Sequence, residues 1–178
     1  MKILVVVGSP RKGGHSEGLA DAFIRGAEAA GNEVRKYTLA GKNIHGCLGC
    51  HYCITHGGEC VQKDDLAPII EEMRSCDMLV LATPTYYYSM PAQTKMVLDR
   101  MYARHGKPLS IRYSGLLVTL ADSESETRVL QEQYKVAAQY MNWKDLGVVC
   151  AGGMNGNTID PSHPALKEAE EYGRSLRL

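Results

Sequence analysis

Two kinds of hydrophobic pattern alternate along this chain: short apolar runs rich in β-branched residues, and stripes of apolar residues at helical spacing. The short runs end at glycine, proline or polar residues, which is typical of buried strands. One further segment alternates apolar with polar residues and predicts another strand. The five predicted strands cover Ile3–Val7, Glu33–Leu39, Asp77–Thr83, Gly115–Leu120 and Leu146–Ala151.

Helical stripes occupy the stretches between and after these strands. The five predicted helices run from Ser16 to about Ala30, from Asp64 or Asp65 through Met73, from about Pro91 to about Arg104, from beyond Glu126 to Met141, and onward from Pro164. We expect Ser16 to cap the first helix and Asp64 or Asp65 to cap the second. In the fourth helix the expected apolar side consists of Val129, Leu130, Ala137, Tyr140 and Met141.

Strand and helix therefore alternate five times, which predicts an α/β fold: a three-layer, doubly wound, five-stranded parallel sheet. Right-handed crossovers favour the strand order 2-1-3-4-5. The apolar character of the strands predicts burial on both faces of the sheet. The length of 178 residues predicts one domain spanning 1–178, with a cysteine-rich insertion at about 41–63.

In a sheet of this order, a ligand binds beyond the carboxyl ends of the strands, where strands 1 and 3 meet. The first loop at that point carries hydroxyls, a guanidinium and an imidazole among flexible glycines, and it leads into a helix. Backbone N–H groups at a helix N-terminus, together with a bidentate arginine, favour a single terminal phosphate. The candidate phosphate-binding residues are Ser9, Arg11, Gly14, His15 and Ser16.

Two better-known phosphate loops do not match this segment. Gly8 and Gly13 have the Walker separation, but Gly14 stands where the lysine belongs, which argues against a nucleoside triphosphatase. Ser9-Pro10 interrupts the Gly-x-Gly-x-x-Gly pattern of dinucleotide-binding proteins. For the loop taken alone, an ordinary strand–turn–helix connection without a ligand is the alternative.

The second loop contains three consecutive tyrosines, flat amphipathic side chains suited to packing against an aromatic ring system. A phosphate loop beside such a surface predicts FMN as the ligand. For any one tyrosine, plain packing or a subunit interface is the alternative. The candidate ring-binding residues are Pro84, Thr85, Tyr86, Tyr87, Tyr88, Ser89 and Met90.

Four of the cysteines have the spacing C-x2-C-x2-C-x6-C. Cysteines at consecutive x2 spacing are typical of an iron–sulfur cube, whereas structural zinc sites usually pair two separated C-x2-C segments. Cys76 and Cys150 lie in apolar surroundings and are expected in the core. The candidate ligands of a [4Fe–4S] cluster are Cys47, Cys50, Cys53 and Cys60, with zinc and free or redox-active thiols as alternatives.

Twenty basic and twenty acidic residues give a formal net charge of zero, which argues against a nucleic acid or an anionic membrane as partner. No apolar run approaches the roughly 20 residues that span a bilayer, and the first run is too short for a secretory signal. We therefore expect a cytoplasmic protein whose six cysteines are reduced thiols or metal ligands.

The chain resembles the flavodoxin-like NAD(P)H-dependent FMN reductases, and within that superfamily it is most similar to the iron–sulfur flavoproteins. The resemblance covers most of the chain. It rests on Gly8-Ser9-Pro10-Arg11 with His15-Ser16-Glu17, on the Cys47–Cys60 motif, on Lys63-Asp64-Asp65, on Pro84-Thr85-Tyr86 and on Met96–Arg100. The family often has Asn-Thr where this chain has His15-Ser16, so the hydroxyl is kept and a titratable donor is added.

The resemblance implies a flavodoxin-like fold, with the FMN phosphate on the first loop and the isoalloxazine ring along Pro84–Met90. It implies a [4Fe–4S] cluster in the cysteine loop. The loops after strands 4 and 5 are expected near the flavin edge, with Asp122 and Ser123 as candidates. Members of the family typically form homodimers or homotetramers with flavin sites near the interfaces, so an oligomer is expected.

Three functions are compatible with these features. The first is an FMN oxidoreductase with NAD(P)H as substrate, which passes electrons through FMN to a quinone, free flavin, oxygen or the cluster in ping-pong order. The second is an iron–sulfur flavoprotein that carries electrons received from ferredoxin. The third is a ligand-binding or interaction protein on the same scaffold. Flavin redox chemistry requires no acid–base side chain, so no catalytic residue is nominated.

Overall fold

The computed structural model describes residues 1–177. Its five strands form one parallel sheet in the order β2-β1-β3-β4-β5, so the predicted architecture and strand order are confirmed. The strands are β1 Lys2–Val7, β2 Glu33–Thr38, β3 Met78–Pro84, β4 Tyr113–Thr119 and β5 Lys144–Ala151.

In the described part of the chain, six α-helices and two short 3-10 helices connect and flank the strands. The α-helices are α1 His15–Ala29, α2 Tyr52–Thr55, α3 Ala67–Met73, α4 Ala92–Arg100, α5 Arg128–Tyr140 and α6 Pro164–Ser175. The 3-10 helices are Met101–His105, which continues α4, and Glu124–Thr127, which precedes α5. Within residues 1–177 there is no helix both long enough and apolar enough to cross a membrane.

The sheet separates two apolar cores because successive residues of a strand point to opposite faces. On one face Ile3, Val5 and Val7 of β1 pack with the buried residues of α1 and α6. On the other face Leu4 and Val6 pack with those of α3, α4 and α5. This arrangement gives the three layers predicted from the sequence.

Burial on both faces holds for the three central strands but not for the edge strands. β1, β3 and β4 are almost continuously buried, whereas β2 is mostly exposed or half-buried and β5 is buried only near its end. The prediction is therefore wrong for β2 and β5, because each edge strand has a neighbouring strand on one side only.

Two helix predictions also need correction. In α5 the buried side is Leu130, Tyr134 and Ala138, while Val129 and Tyr140 are exposed. The predicted apolar side is therefore right for Leu130 and Met141, which pack in or against the core, and wrong for Val129 and Tyr140, because this helix carries apolar residues on both faces. The helix α3 begins after Leu66, and no side chain caps it.

Helices α1 and α6 approach each other closely through glycines. A Cβ placed on Gly173 of α6 would lie 2.7 Å from the amide nitrogen of Ala27 and would also collide with the carbonyl oxygen of Phe23. Gly26 of α1 has the reciprocal relation to Glu170. Backbone atoms make these contacts, so a rotamer change does not relieve them.

We therefore expect Gly173→Ala to lower the free energy of unfolding by about 1–3 kcal/mol, since overpacking outweighs the gain in helix propensity. Urea denaturation followed by circular dichroism measures this change. Glu171→Ala, on the exposed side of the same helix, is the control and should change stability by less than about 0.5 kcal/mol. Equal stability of Gly173→Ala and wild type would contradict the close packing.

Candidate functional site

The loops after β1 and β3 meet at the carboxyl edge of the sheet and form an open groove of about 150 Å³, here called the β1–β3 groove. Seven of the predicted residues line it, and four further residues come from the end of β4, the segment after it and the segment after β5. The predicted residues are Ser9, Arg11, His15, Ser16, Pro84, Thr85 and Tyr86, and the additional ones are Thr119, Leu120, Ala121 and Met154.

The first loop leads into the N-terminus of α1, which no side chain caps. Gly13 has φ 65°, a left-handed conformation suited to glycine. Gly14 is the N-cap of α1 and has no side chain to bond the first turn. The buried Ser9 hydroxyl accepts a hydrogen bond from the amide of Arg11 at 3.1 Å. Ser16 was predicted as the N-cap of this helix, and that prediction is wrong. The extended residue before the first turn is Gly14, so Gly14 is the N-cap and Ser16 is the second residue of the helix.

Glu17, in the first turn of α1, shares the charge of Lys36 with Asp21, which accepts a hydrogen bond from Lys36 at 2.7 Å. Glu17 accepts hydrogen bonds from the amide of Gly13 at 2.8 Å and from Lys36 at 3.1 Å. Burial acts to raise the pKa of Glu17, but these hydrogen bonds and the charge of Lys36 outweigh it, and the pKa is lowered. The ion pair with Lys36 reduces the repulsion that an anion would meet at the N-terminus of α1.

Hydrogen bonds connect the first turn of α1 to the end of β4 and to the segment after β5. The Ser16 hydroxyl lies 2.7 Å from that of Thr119, and both residues are buried. The His15 ring lies 3.2 Å from the carbonyl oxygen of Asn155. Sequence reasoning expected these segments near the groove but selected Asp122 and Ser123, which are exposed and do not line it. The strand end itself, Thr119–Ala121, was the better signal.

The tyrosine loop forms a two-residue hairpin turn. The amide of Tyr86 donates to the carbonyl of Ser89 at 2.9 Å, and the amide of Ser89 donates back at 3.1 Å. The two central residues, Tyr87 and Tyr88, have φ of 47° and 64°. This conformation usually requires Asn or Gly, and strain of this kind concentrates at functional sites.

The turn separates the three tyrosines. Tyr86 lines the groove, Tyr87 is 99% exposed and Tyr88 is 57% exposed. Ser89 hydrogen-bonds Gln133 of α5, and Met90 is buried in the core. Of the predicted ring-binding residues, the structure therefore places Pro84, Thr85 and Tyr86 in the groove, and Tyr87–Met90 outside it.

The groove has the chemistry that an FMN requires. The Thr85 hydroxyl is buried and has no hydrogen-bond partner among residues 1–177, so a ligand with polar groups would satisfy it. The free N-terminus of α1, with Ser9 and Arg11 beside it, suits a phosphate. Tyr86 supplies an aromatic wall. The residues present therefore fit a flavin mononucleotide.

A second concavity is lined by all four motif cysteines and is here called the cysteine pocket. Gly49 and His51, with φ of 63° and 59°, turn the backbone between consecutive cysteines. Cys47 and Cys50 are exposed, and Cys53 and Cys60 are half-buried. Burial raises the pKa of Cys53, and the charges of the other three add to this effect. The pocket is lined by Cys47–Cys53, Cys60–Gln62, Arg100, Tyr102 and Ala103.

The donor set of this pocket is four cysteine thiols. Within residues 1–177 no three His, Cys, Asp or Glu side chains converge closely enough to hold one metal ion. Four thiols are the ligands of a [4Fe–4S] cluster, so the residues present fit that group, and zinc remains the alternative. Cys76 is buried and Cys150 half-buried, and neither lines this pocket.

Asp64 was predicted to cap a helix, but its carboxylate forms a buried ion pair with Arg100 at the last position of α4. The side chains are 3% and 2% exposed, and the two hydrogen bonds between them measure 2.6 and 3.1 Å. Burial acts to raise the pKa of Asp64, but the bond to Arg100 and the amides of His45 and Leu66 lower it to about 2. Asp65 accepts a hydrogen bond from the amide of Asn43.

The fold and the groove define a class of protein, the flavodoxin-like flavin-binding α/β proteins. The family model described as "NADPH-dependent FMN reductase" matches residues 1–154. The chain therefore belongs to the NADPH-dependent FMN reductase family, and the proposed resemblance is confirmed.

Individual relatives agree with this assignment. An iron–sulfur flavoprotein of Archaeoglobus fulgidus is 34% identical, over 99% of this chain and 79% of the relative. For other relatives with that name, the chain spans about half of their length.

Solved structures show the same fold. The NAD(P)H:quinone oxidoreductase of Methanothermobacter marburgensis has a TM-score of 0.78 at 18% identity, with 99% of both chains covered. An FMN-dependent NADH-azoreductase of Bacillus anthracis, in complex with FMN, has a TM-score of 0.71 at 14% identity, again over 99% of both chains.

We expect Asp64→Asn to lower the free energy of unfolding by about 3 kcal/mol at neutral pH, because it leaves the buried guanidinium of Arg100 without its counter-ion. The folded-state pKa of Asp64, about 2, lies below the ordinary value of 3.8. The wild-type advantage should therefore be complete above about pH 4 and shrink as the pH falls from there towards 2.

Urea denaturation between pH 7 and pH 3 measures this dependence. Asp99→Asn is the control, since Asp99 forms an exposed pair with Lys95 and should contribute less than about 1 kcal/mol. Indistinguishable unfolding curves for wild type and Asp64→Asn at pH 7 would refute the buried ion pair.

Proposed function

We propose that this protein is an FMN-dependent oxidoreductase that holds FMN in the β1–β3 groove and a [4Fe–4S] cluster in the cysteine pocket. The observation that carries the proposal is the groove itself, which is bordered both by the start of α1, where no side chain forms a cap, and by Thr85, whose buried hydroxyl has no hydrogen-bond partner among residues 1–177. The name of the 34% identical relative supports the cluster.

The side chains of the groove bind and orient rather than react. Ser9, Arg11 and the first amides of α1 hold the phosphate, together with His15 and Ser16. Tyr86 and Thr85 position the ring. FMN would supply the electron chemistry, accepting a hydride or single electrons, and no residue of the groove is assigned as acid or base.

NAD(P)H is the electron donor that we propose for the flavin. The groove is open to solvent, and Tyr86 beside it is 41% exposed, which leaves space for a second planar molecule. Because no separate nucleotide site is assigned, donor and acceptor share the flavin face in turn. Ping-pong kinetics follow from this arrangement.

An electron carrier reduced by ferredoxin is the second candidate, and the cysteine loop favours it. Cys47 and Cys50 are exposed, so a cluster held there lies at the surface, where a protein partner can approach. The β1–β3 groove and the cysteine pocket share no lining residue. Electrons between them would pass through intervening protein, within one chain or to a neighbouring subunit.

An oligomer, either a homodimer or a homotetramer, is part of the proposal. The exposed Tyr87 and Tyr88 next to the groove are surfaces that a second subunit can cover. Free thiols for an iron–sulfur site persist in a reducing compartment, so we propose that the protein works in the cytoplasm.

We expect Arg11→Ala to weaken FMN binding about tenfold to a hundredfold, the usual range for losing a charge-assisted hydrogen bond. Titration of flavin-free protein with FMN, followed by the quenching of flavin fluorescence, measures the Kd. Arg25→Ala removes the same charge from the outer side of α1, where Arg25 pairs with Glu170, and should leave the Kd unchanged. An unaltered Kd for Arg11→Ala would refute the phosphate-loop assignment.

We expect Cys50→Ala to abolish the broad iron–sulfur absorbance of anaerobically purified protein while retaining FMN. Cys76→Ala is the matched control, because Cys76 is buried away from the pocket and burial raises its pKa to about 12. Cys50→Ala also distinguishes between the two proposed electron donors. In this variant the reduction of FMN by NAD(P)H should persist, and the reduction of FMN by ferredoxin should be lost. An unchanged spectrum in Cys50→Ala would overturn the cluster assignment.

A further inference from the structure

Arg100 lies between the two ends of the segment that carries the four motif cysteines, residues 47–60, here called the cysteine segment. It is the last residue of α4, its side chain is 2% exposed, and its two terminal nitrogens bind the two oxygens of Asp64. A buried guanidinium in this bidentate arrangement has one orientation. Its charge therefore acts from a fixed position.

The same ion pair fastens the chain on both sides of the cysteines. Arg100 donates to the carbonyl of His45 at 3.0 Å, and the amide of His45 donates to Asp64 at 3.0 Å. The side-chain amide of Gln62 donates to the carbonyl of Gly46 at 2.8 Å. The backbone just before Cys47 and just after Cys60 is thus held together by side chains, with Arg100 at the centre.

Arg100 also faces the cysteines themselves. It lines the cysteine pocket, which Asp64 does not. Its Nε is buried without a hydrogen-bond partner among residues 1–177. Arg100 and Cys60 both line this pocket, and a terminal nitrogen of Arg100 donates to the carbonyl of Gln62, two residues after Cys60, at 3.4 Å. The guanidinium therefore places a fixed positive charge in the pocket that contains the fourth cysteine.

We propose that Arg100 is the positioning residue of the cysteine pocket: it fixes Cys60 opposite the other three cysteines and raises the reduction potential of the cluster bound there. The second half of this inference depends on the proposed cluster, and the first half does not. The step concerned is a one-electron reduction by reduced flavin or by ferredoxin, in which no bond forms or breaks. A positive charge beside a thiolate ligand stabilises the added electron, since net charge and hydrogen bonds to the sulfurs set such potentials.

The test compares wild type with two variants. The double variant Asp64→Asn/Arg100→Gln removes both charges and so leaves no unpaired buried charge. The variant Arg100→Lys keeps the positive charge but cannot form the bidentate contact with Asp64. Arg104→Gln is the control, because Arg104 is the next arginine along the chain, lies over the ring of Tyr140 and lines neither site. Hydrogen exchange at residues 43–46 and 60–66 is measured on the full chain before loading with iron and sulfide. The midpoint potential is measured afterwards by electron paramagnetic resonance during redox titration.

In the double variant we expect faster exchange at both ends of the cysteine segment. We also expect the equilibrium constant for reduction to fall by about tenfold, a shift of about 59 mV to more negative potential for a one-electron couple. Arg100→Lys should exchange faster but keep a potential nearer to that of wild type, and Arg104→Gln should match wild type in both measurements.

Wild-type exchange and wild-type potential in the double variant would overturn the inference. If the double variant does not fold, wild-type exchange in Arg100→Lys overturns the positioning role, and faster exchange supports it. If wild type itself binds no iron, the cluster in the proposed function has failed, whereas the exchange measurement still decides whether Arg100 fastens the segment.

Discussion

The parallel pairing of β1 with β3 is the constraint on which the rest of the structure depends. Val7 lies opposite Ala82, and the amide of Gly8 donates to the carbonyl of Ala82 at 2.8 Å. β1 ends at Val7 and β3 ends two residues beyond Ala82, at Pro84, so the loop after β1 and the tyrosine turn leave the same edge of the sheet next to each other. Gly8 is required at this point, because a Cβ there would collide with the Thr94 side chain of α4.

Helix α4 links the two sites of the molecule. It starts directly after the tyrosine turn, at Ala92, and ends at Arg100 in the cysteine pocket. Nine residues of α-helix span about 13 Å, and this length separates the end of the tyrosine turn from Arg100. The strained turn at Tyr87 and Tyr88 and the buried pair of Arg100 with Asp64 are therefore opposite ends of one rigid element. A shift of α4 would move both.

Much of this arrangement could be predicted from the sequence because it follows from order along the chain. The predicted strand order places Ser9, Arg11 and Thr85 at one edge of the sheet, and the short spacing of the four cysteines indicates a common site. The pair of Asp64 with Arg100 was not predictable in this way. The two residues are separated by 36 positions, and either one alone is compatible with an exposed charge.

Other features could not be predicted from the sequence, for different physical reasons. Tyr87 and Tyr88 adopt a turn that their residue type disfavours, so propensity points away from it. Met154 reaches the groove only because β5 ends beside β4, and its sequence neighbourhood carries no functional signal. In α5, the exposed Val129 and Tyr140 match the pattern expected for core residues, and burial alone separates them from Leu130 and Tyr134.

The cofactor content of the purified chain tests the central claim, that one chain holds both a flavin and an iron–sulfur cluster. The measurement is made under anaerobic conditions, with FMN determined by absorbance after extraction and iron by chemical analysis of the same sample. Our account predicts about one FMN and about four iron atoms per chain, with a broad shoulder beside the flavin bands. Flavin without iron would contradict the cluster, and a colourless protein that does not bind added FMN would contradict the account as a whole.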